Sequence, residues 1–167
     1  RDLLKERMDS LFTFASKVPY ELNHLLPIIQ ASKSLIGMNI DSPPRNLLKW
    51  LEEYIQKFQP TYIVPESLFT DKKDEVLTVY HLEDLIRRNK VEESRSYLIN
   101  ILQLADPRHI MELFLEISLR YAASSTLFCW AAYKSIRNMN IEDGKRLLFI
   151  VLDCLLDSKN NTSSQLE

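Results

Sequence analysis

The chain has 167 residues, of which 46% are hydrophobic and 26% are charged, a balance typical of one folded globular domain. It contains only two glycines, so primed hairpin turns, bulges and phosphate-binding loops, which depend on glycine, are disfavoured. A net charge of −2 is not typical of a nucleic-acid binder, and we expect no nucleic-acid partner.

Apolar residues recur with the helical period along most of the chain, and this pattern predicts an all-α fold. We expect seven or eight helices in a compact antiparallel bundle or an irregular array of helical hairpins, with a helix content above about two thirds. In chain order, the predicted helices cover residues 1–17, the stretch from Pro19 to Gly37, 44–59, 73–89, 91–105, 107–122, 125–138 and 141–158.

Prolines, glycines and capping side chains set the predicted helix boundaries. Pro27 is expected to kink the second helix or divide it in two. Gly37 is placed as its C-cap. In the segment Asp41-Ser42-Pro43-Pro44, side chains that can cap a helix precede two prolines, and proline is tolerated in a first helical turn. The segment therefore predicts the start of the third helix.

Two further boundaries lie in the second half of the chain. Asp106 followed by Pro107 predicts an N-cap with proline at the first helical position. Asn140, with Asp143 three residues later, resembles a capping box.

An internal similarity relates Ile86–Leu98 to Ile136–Leu148, fifty positions apart (136 − 86). In each copy the pattern predicts the turn of a helical hairpin, with acidic residues in the first turn of the second helix. Duplication and two independent solutions to the same capping problem explain the similarity equally well.

We expect a single helical domain over residues 1–159. The one long connection, 60–71, is where an N-terminal part (1–59) and a C-terminal part (72–159) would divide. Residues 160–167 are predicted to form a disordered polar tail.

The two cysteines, Cys129 and Cys154, lie in apolar helical runs and form no CxxC motif. Buried free thiols in a reducing compartment explain them best, so we expect a cytoplasmic protein. The longest apolar run, Leu147–Leu156, is interrupted by Asp153 and is too short to cross a bilayer. We therefore expect a core helix there and no membrane insertion.

Helical bundles build metal sites from Glu and Glu-x-x-His on facing helices, because residues three and four apart share one helix face. The chain has one such pair, but the second Glu-x-x-His of a complete di-metal set is missing, and a solvated polar row explains most of the remaining residues. A metal- or cofactor-binding bundle is therefore the alternative hypothesis, and it predicts that its ligands converge and face inward. These ligands would come from Glu21, His24, His81, His109, Glu112 and Glu116.

Signs of other chemistry are few. No Gly-x-Ser-x-Gly elbow occurs, and the apolar surroundings of Cys129 favour an inert thiol, so we lean towards a non-enzyme without a cofactor. An apolar ligand pocket lined by Phe128, Trp130 and Tyr133 is a weaker interpretation, and a central core helix explains these residues better.

The leading hypothesis is a non-catalytic helical module for protein–protein interaction or scaffolding, either alone or as part of a larger protein, with a protein partner or a second copy bound to it. It rests on a surplus of apolar residues over 47–69, which either pack onto the C-terminal half or form a partner-binding face. The predicted partner-binding residues are Trp50, Phe58, Tyr62 and Phe69.

Overall fold

The protein is described by a computed structural model that covers residues 2–22, 24–64 and 77–163. Over these ranges it is 77% helical with eight α-helices and no strand, which confirms the predicted all-α class. The helices are α1 (Asp2–Ala15), α2 (Leu25–Met38), α3 (Arg45–Ile55), α4 (Val79–Arg87), α5 (Val91–Ile101), α6 (Pro107–Tyr121), α7 (Thr126–Ser135) and α8 (Ile141–Ser163).

The predicted helices agree with these eight apart from their ends. The starts of α5, α6 and α8 are as predicted, and a capping side chain marks those of α6 and α8 but not that of α5. Helix α8 continues to Ser163, five residues beyond its predicted end, and residues 164–167 of the predicted polar tail lie outside the described residues. Most of the predicted 60–71 connection is also outside them, and residues 60–64 form no helix.

Helix α2 differs from the prediction at both ends. Pro27 is its third residue and lies in the first turn, where a missing backbone N–H breaks no helical hydrogen bond, so α2 is not interrupted there. The chain divides earlier, at a 3₁₀ turn over Tyr20–Leu22. Gly37 is not the C-cap, because it lies inside the last turn and Asn39 ends the helix with a φ of −137°.

The predicted caps are confirmed in α6 and α8 but not in α3. The Arg108 backbone N–H donates to Asp106 Oδ1 (2.8 Å), and the Asp143 backbone N–H donates to Asn140 Oδ1 (2.8 Å). At the start of α3, Pro44 itself occupies the N-cap position and no side chain caps the helix. The proline side chain has no hydrogen-bond acceptor, so the side-chain cap predicted for the start of α3 is missing.

Helices α6, α7 and α8 form the centre of the molecule. Helix α6 packs against α7 and α8, α2 packs against α7, and α5 packs against α8. Residues Leu147 to Leu152 of α8 are all buried. Buried side chains from all eight α-helices contribute to one hydrophobic core.

The internal similarity has a structural counterpart in the turns before α5 and α8. Ile86 and Ile136 are both buried just before these turns, and the matching fourth positions of α5 and α8 are the buried Ser94 and Gly144. A Cβ at Gly144 would lie 3.4 Å from Ile136 Cγ1. The Ser94 hydroxyl has no hydrogen-bond partner among the described residues. Both positions are thus occupied by small, buried residues, whatever the origin of the similarity.

We predict that Gly37→Ala raises the free energy of unfolding by about 0.5–1 kcal/mol, because alanine is the better helix former. A Cβ at this position meets no atom within 4 Å, and Gly37 has no positive φ. Urea unfolding followed by circular dichroism measures the change. The contrasting variant is Gly144→Val, which should lose about 1–3 kcal/mol because Ile136 already fills the space. A loss of stability in Gly37→Ala would contradict the helical assignment of Gly37.

Candidate interaction surface

The six proposed metal ligands do not come together. All of them are exposed, on the 3₁₀ turn before α2, at the N-cap of α2, on α4 and on α6: Glu21, His24, His81, His109, Glu112 and Glu116. Glu116 pairs with Arg120 on its own helix (3.3 Å). Within the ranges described, no three His, Cys, Asp or Glu side chains are grouped so that they could hold a metal ion. The prediction that these ligands converge and face inward is therefore wrong.

The cysteines are core residues. Cys129 and Cys154 are both buried and free, as predicted. Burial raises the pKa of Cys129 to about 11 and that of Cys154 to about 12. Hydrogen bonds from the Ser125 and Ser118 side chains offset only part of the effect at Cys129. Protonated, inaccessible thiols are poor nucleophiles at neutral pH.

The aromatic residues of α7 have different surroundings. Phe128 is buried, whereas Trp130 is 42% exposed. Tyr133 lines a cavity of about 420 Å³ together with charged residues such as Arg108 and Glu112 of α6. The weaker interpretation as an apolar ligand pocket formed by all three residues is therefore not supported.

Helix α3 is the most peripheral of the amphipathic helices. Only Leu48 and Leu51 are buried, and its main packing partner is α2. On one flank Glu52 accepts from Arg7 Nε of α1 (2.7 Å). The period of 3.6 leaves the opposite flank, which includes Trp50, away from this contact. This flank is the part of the predicted partner-binding face that the structure leaves open.

A row of aromatic rings follows that flank from solvent towards the core. The Trp50 and Tyr54 rings stack with centroids 5.0 Å apart and planes at 15°. The Tyr54 and Phe58 rings meet edge to face at 5.3 Å. Trp50 is 46% exposed, and Phe58 packs against the core. The exposed indole of Trp50 is thus supported on one face by the Tyr54 ring.

The four predicted partner-binding residues therefore have different positions. Trp50 is exposed, whereas Phe58 and Tyr62 are half-buried against the core. Phe69 lies outside the described residues. Of the apolar residues that exceed what one helix face needs, Phe58 and Tyr62 thus pack against the core, whereas Trp50 faces solvent.

Tyr62 has an internal role. Its backbone N–H donates to the Lys17 carbonyl (2.9 Å), and its hydroxyl donates to Asp153 Oδ2 (2.7 Å). The other carboxylate oxygen, Asp153 Oδ1, accepts from Arg95 Nε (3.1 Å) and Nη2 (2.9 Å). This network attaches the chain that follows α3 to α5 and α8. Burial and the hydrogen bond to Asp153 raise the pKa of Tyr62 well above its ordinary value.

Three further exposed apolar residues belong to the same α2–α3 hairpin as Trp50. Leu35 and Met38 belong to the last turns of α2, and Ile40 lies in the connection to α3. Their exposed fractions are 54%, 83% and 45%. We call Leu35, Met38, Ile40 and Trp50 the hairpin surface. A helical stripe alone did not reveal it, because Leu35 continues the apolar pattern of α2.

Charged groups of both signs lie in the same hairpin. The ammonium of Lys57 lies over the Tyr54 ring, 5.3 Å from its centroid, on the residue that supports Trp50. Lys49 pairs loosely with Glu53 (3.8 Å), and Arg45 begins α3. The hairpin thus combines a stacked tryptophan and an exposed methionine, residue types enriched at protein interfaces, with charges of both signs.

Comparisons of the chain with family models, with curated proteins and with solved structures give no match. In the described ranges, none of the helices combines the length and apolar character that crossing a bilayer requires.

We predict that Tyr62→Phe lowers the free energy of unfolding by about 1–2 kcal/mol at neutral pH, because it removes a hydrogen bond to a carboxylate. Because the folded state raises the pKa of Tyr62, this contribution is complete below about pH 10 and is lost as pH rises further. Denaturant unfolding at several pH values measures it. Tyr80→Phe, at a residue that is 79% exposed, is the control and should change little. Equal effects of the two variants would contradict the proposed role of the Tyr62 hydroxyl.

The thiols give a separate prediction. At about pH 8 both cysteines should react slowly with a disulfide reagent in the folded protein and rapidly in concentrated urea, because burial raises both pKa values. The raised pKa values also predict that the free energy of unfolding falls as pH rises above about 9, because the thiols of the unfolded chain ionise before those of the folded protein. Absorbance of the released thiolate follows the reaction. Rapid labelling of the folded protein would show that the thiols are accessible.

Proposed function

We propose that this chain is a non-catalytic helical module that binds a protein partner through the hairpin surface. The observation that supports the proposal is the exposure of Leu35, Met38, Ile40 and Trp50 on a single hairpin at the edge of the fold. Apolar residues that form a contiguous exposed patch mark interaction sites, and we take these four residues as such a patch.

The geometry of Trp50 supports the same proposal. Tryptophan is enriched among the residues that dominate interface energies. The Trp50 ring already stacks on Tyr54, so little side-chain entropy remains to be lost on binding. Met38 is flexible and adapts to an irregular partner. Together they provide a rigid anchor beside an adaptable contact.

A reducing, cytoplasmic location is part of the proposal. Cys129 and Cys154 are buried and unpaired, as thiols usually are in such a compartment.

A photo-crosslinking experiment tests the surface. A photoreactive amino acid at position 38 should yield a discrete covalent adduct with a partner in cells that express the chain. The same group at position 104 should not, although Met38 and Leu104 are almost equally exposed at 83% and 80%. Identical adducts from both positions would show non-specific contact and contradict the proposal.

The two tryptophans provide a matched pair for the purified partner. Trp50→Ala should raise the Kd of the chain for this partner at least tenfold, which is about 1.4 kcal/mol or more of binding free energy. Trp130→Ala should change Kd by less than about twofold, although Trp130 is 42% exposed against 46% for Trp50. Circular dichroism confirms that both variants are folded. An equal loss in the two variants would place the interface elsewhere.

A further inference from the structure

We infer that Tyr62, through its hydrogen bond to Asp153, is a positioning residue for Trp50. We call residues 56–64, which follow α3, the connecting segment. The attachment of this segment to the core controls how the indole of Trp50 is presented to solvent. The inference rests on the proposed function, because it names what controls the same hairpin surface.

The first observation is how α3 is held. Its buried residues are Leu48 and Leu51, and its main packing partner is α2. The bond from Arg7 to Glu52 holds the flank that lies away from Trp50. On the Trp50 flank the support comes from the row of aromatic rings, which continues beyond the end of the helix. The position of Trp50 therefore depends on the segment that follows α3.

The second observation is that the aromatic row ends in the connecting segment. The Phe58 backbone N–H donates to the Ile55 carbonyl (3.0 Å), and this turn brings the Phe58 ring to 5.3 Å from the Tyr54 ring. Tyr54 is the ring that stacks on Trp50. A displacement of Phe58 would thus remove an edge-to-face contact from the ring that supports the indole.

The third observation is that Tyr62 fastens the connecting segment at two points. Its backbone N–H donates to the Lys17 carbonyl (2.9 Å), and its hydroxyl donates to Asp153 Oδ2 (2.7 Å). Asp153 is only 14% exposed, and Arg95 binds its other oxygen. A hydroxyl bonded to a carboxylate makes a stronger contact than one bonded to a neutral group. The segment is therefore attached to α8, the most deeply buried helix.

The chain between the two anchors is short. Residues 59–61 alone separate Phe58 from Tyr62. Pro60 has a restricted φ, and the Thr61 backbone N–H donates to the Gln59 carbonyl (2.9 Å). Because this linker has little slack, a shift of Tyr62 is passed on to Phe58.

The arrangement couples two distant groups. Loss of the bond between Tyr62 and Asp153 lowers the population in which the Trp50 ring is supported, and the apparent affinity for a partner falls with that population. Coupling of this kind is reciprocal, so a partner bound at Trp50 stabilises the attached connecting segment.

The test is acrylamide quenching of tryptophan fluorescence in the full chain. Trp130→Phe leaves Trp50 as its only tryptophan, and Trp50→Phe leaves Trp130. In the first background, Tyr62→Phe should raise the quenching constant of Trp50. The rise is at most about twofold, because the indole is already 46% exposed. In the second background, the same substitution should leave the quenching constant of Trp130 unchanged.

Thr13→Val is the matched control. It removes another hydroxyl–carboxylate hydrogen bond to α8, from Thr13 to Asp143 (2.9 Å), at a position outside the connecting segment. It should lower stability in the same way and leave the quenching of Trp50 unchanged. Asp153→Asn is the conservative variant, and it should change Trp50 less than Tyr62→Phe does, because an asparagine side chain can still bond the hydroxyl. Circular dichroism and urea unfolding confirm that the variants are folded.

Two results would overturn the inference. One is an unchanged quenching constant of Trp50 in Tyr62→Phe. The other is an equal rise for Trp130, or an equal rise of Trp50 in Thr13→Val, because either would show general loosening of the fold.

The two proposals can fail separately. If position 38 crosslinks a partner that binds equally well to the wild type and to Tyr62→Phe, the inference fails and the proposed function stands. If Tyr62→Phe exposes Trp50 but Trp50→Ala changes the Kd for no partner, the proposed function itself fails.

Discussion

Helix α8 has buried side chains on every side from Leu147 to Leu152, and a helix of this kind is stable in water only when other helices surround it. Helices α5, α6 and α7 pack directly against it. Helix α1 contacts the N-terminal turn of α8 through Thr13, whose hydroxyl donates to Asp143 (2.9 Å). The arrangement of the other helices thus follows from the need to cover α8, and the less constrained α3 remains at the edge.

Asp153 shows how this buried helix tolerates a charge. Its side chain is only 14% exposed, so its desolvation must be offset by hydrogen bonds. Arg95 and Tyr62 provide them from two different segments. The cost of burying one carboxylate therefore fixes where α5 and the chain after α3 meet α8.

The fold was largely predictable from the sequence because helical periodicity is a local property. Boundaries marked by a side-chain cap, such as Asp106 and Asn140, were predicted correctly. Pro27 and Gly37 were misinterpreted because each residue tolerates more than one position in a helix, and only the packing around α2 selects between them. Tertiary context therefore decides where local preferences are weak.

The candidate surface was only partly predictable. Trp50 was identified because it lies beside the apolar stripe of α3, yet the same reasoning placed Phe58 and Tyr62 on the surface. The carboxylate that binds Tyr62 is 91 residues away in sequence, so no local pattern connects the two. Asp153 was visible as a break in an apolar run, but periodicity does not identify its partners.

The order of the helices has a consequence for synthesis on the ribosome. Helices α1 to α3 are made first, but α2 packs against α7 and α1 is bonded to Asp143, both of which are made much later. At about 5–20 residues per second, the 88 residues from Met38 to Thr126 (126 − 38) take on the order of ten seconds. During this interval the apolar faces of α1 and α2 lack their final cover. The nascent chain therefore exposes this apolar surface until α7 is complete, whereas its later helices, joined by short turns, fold through local contacts.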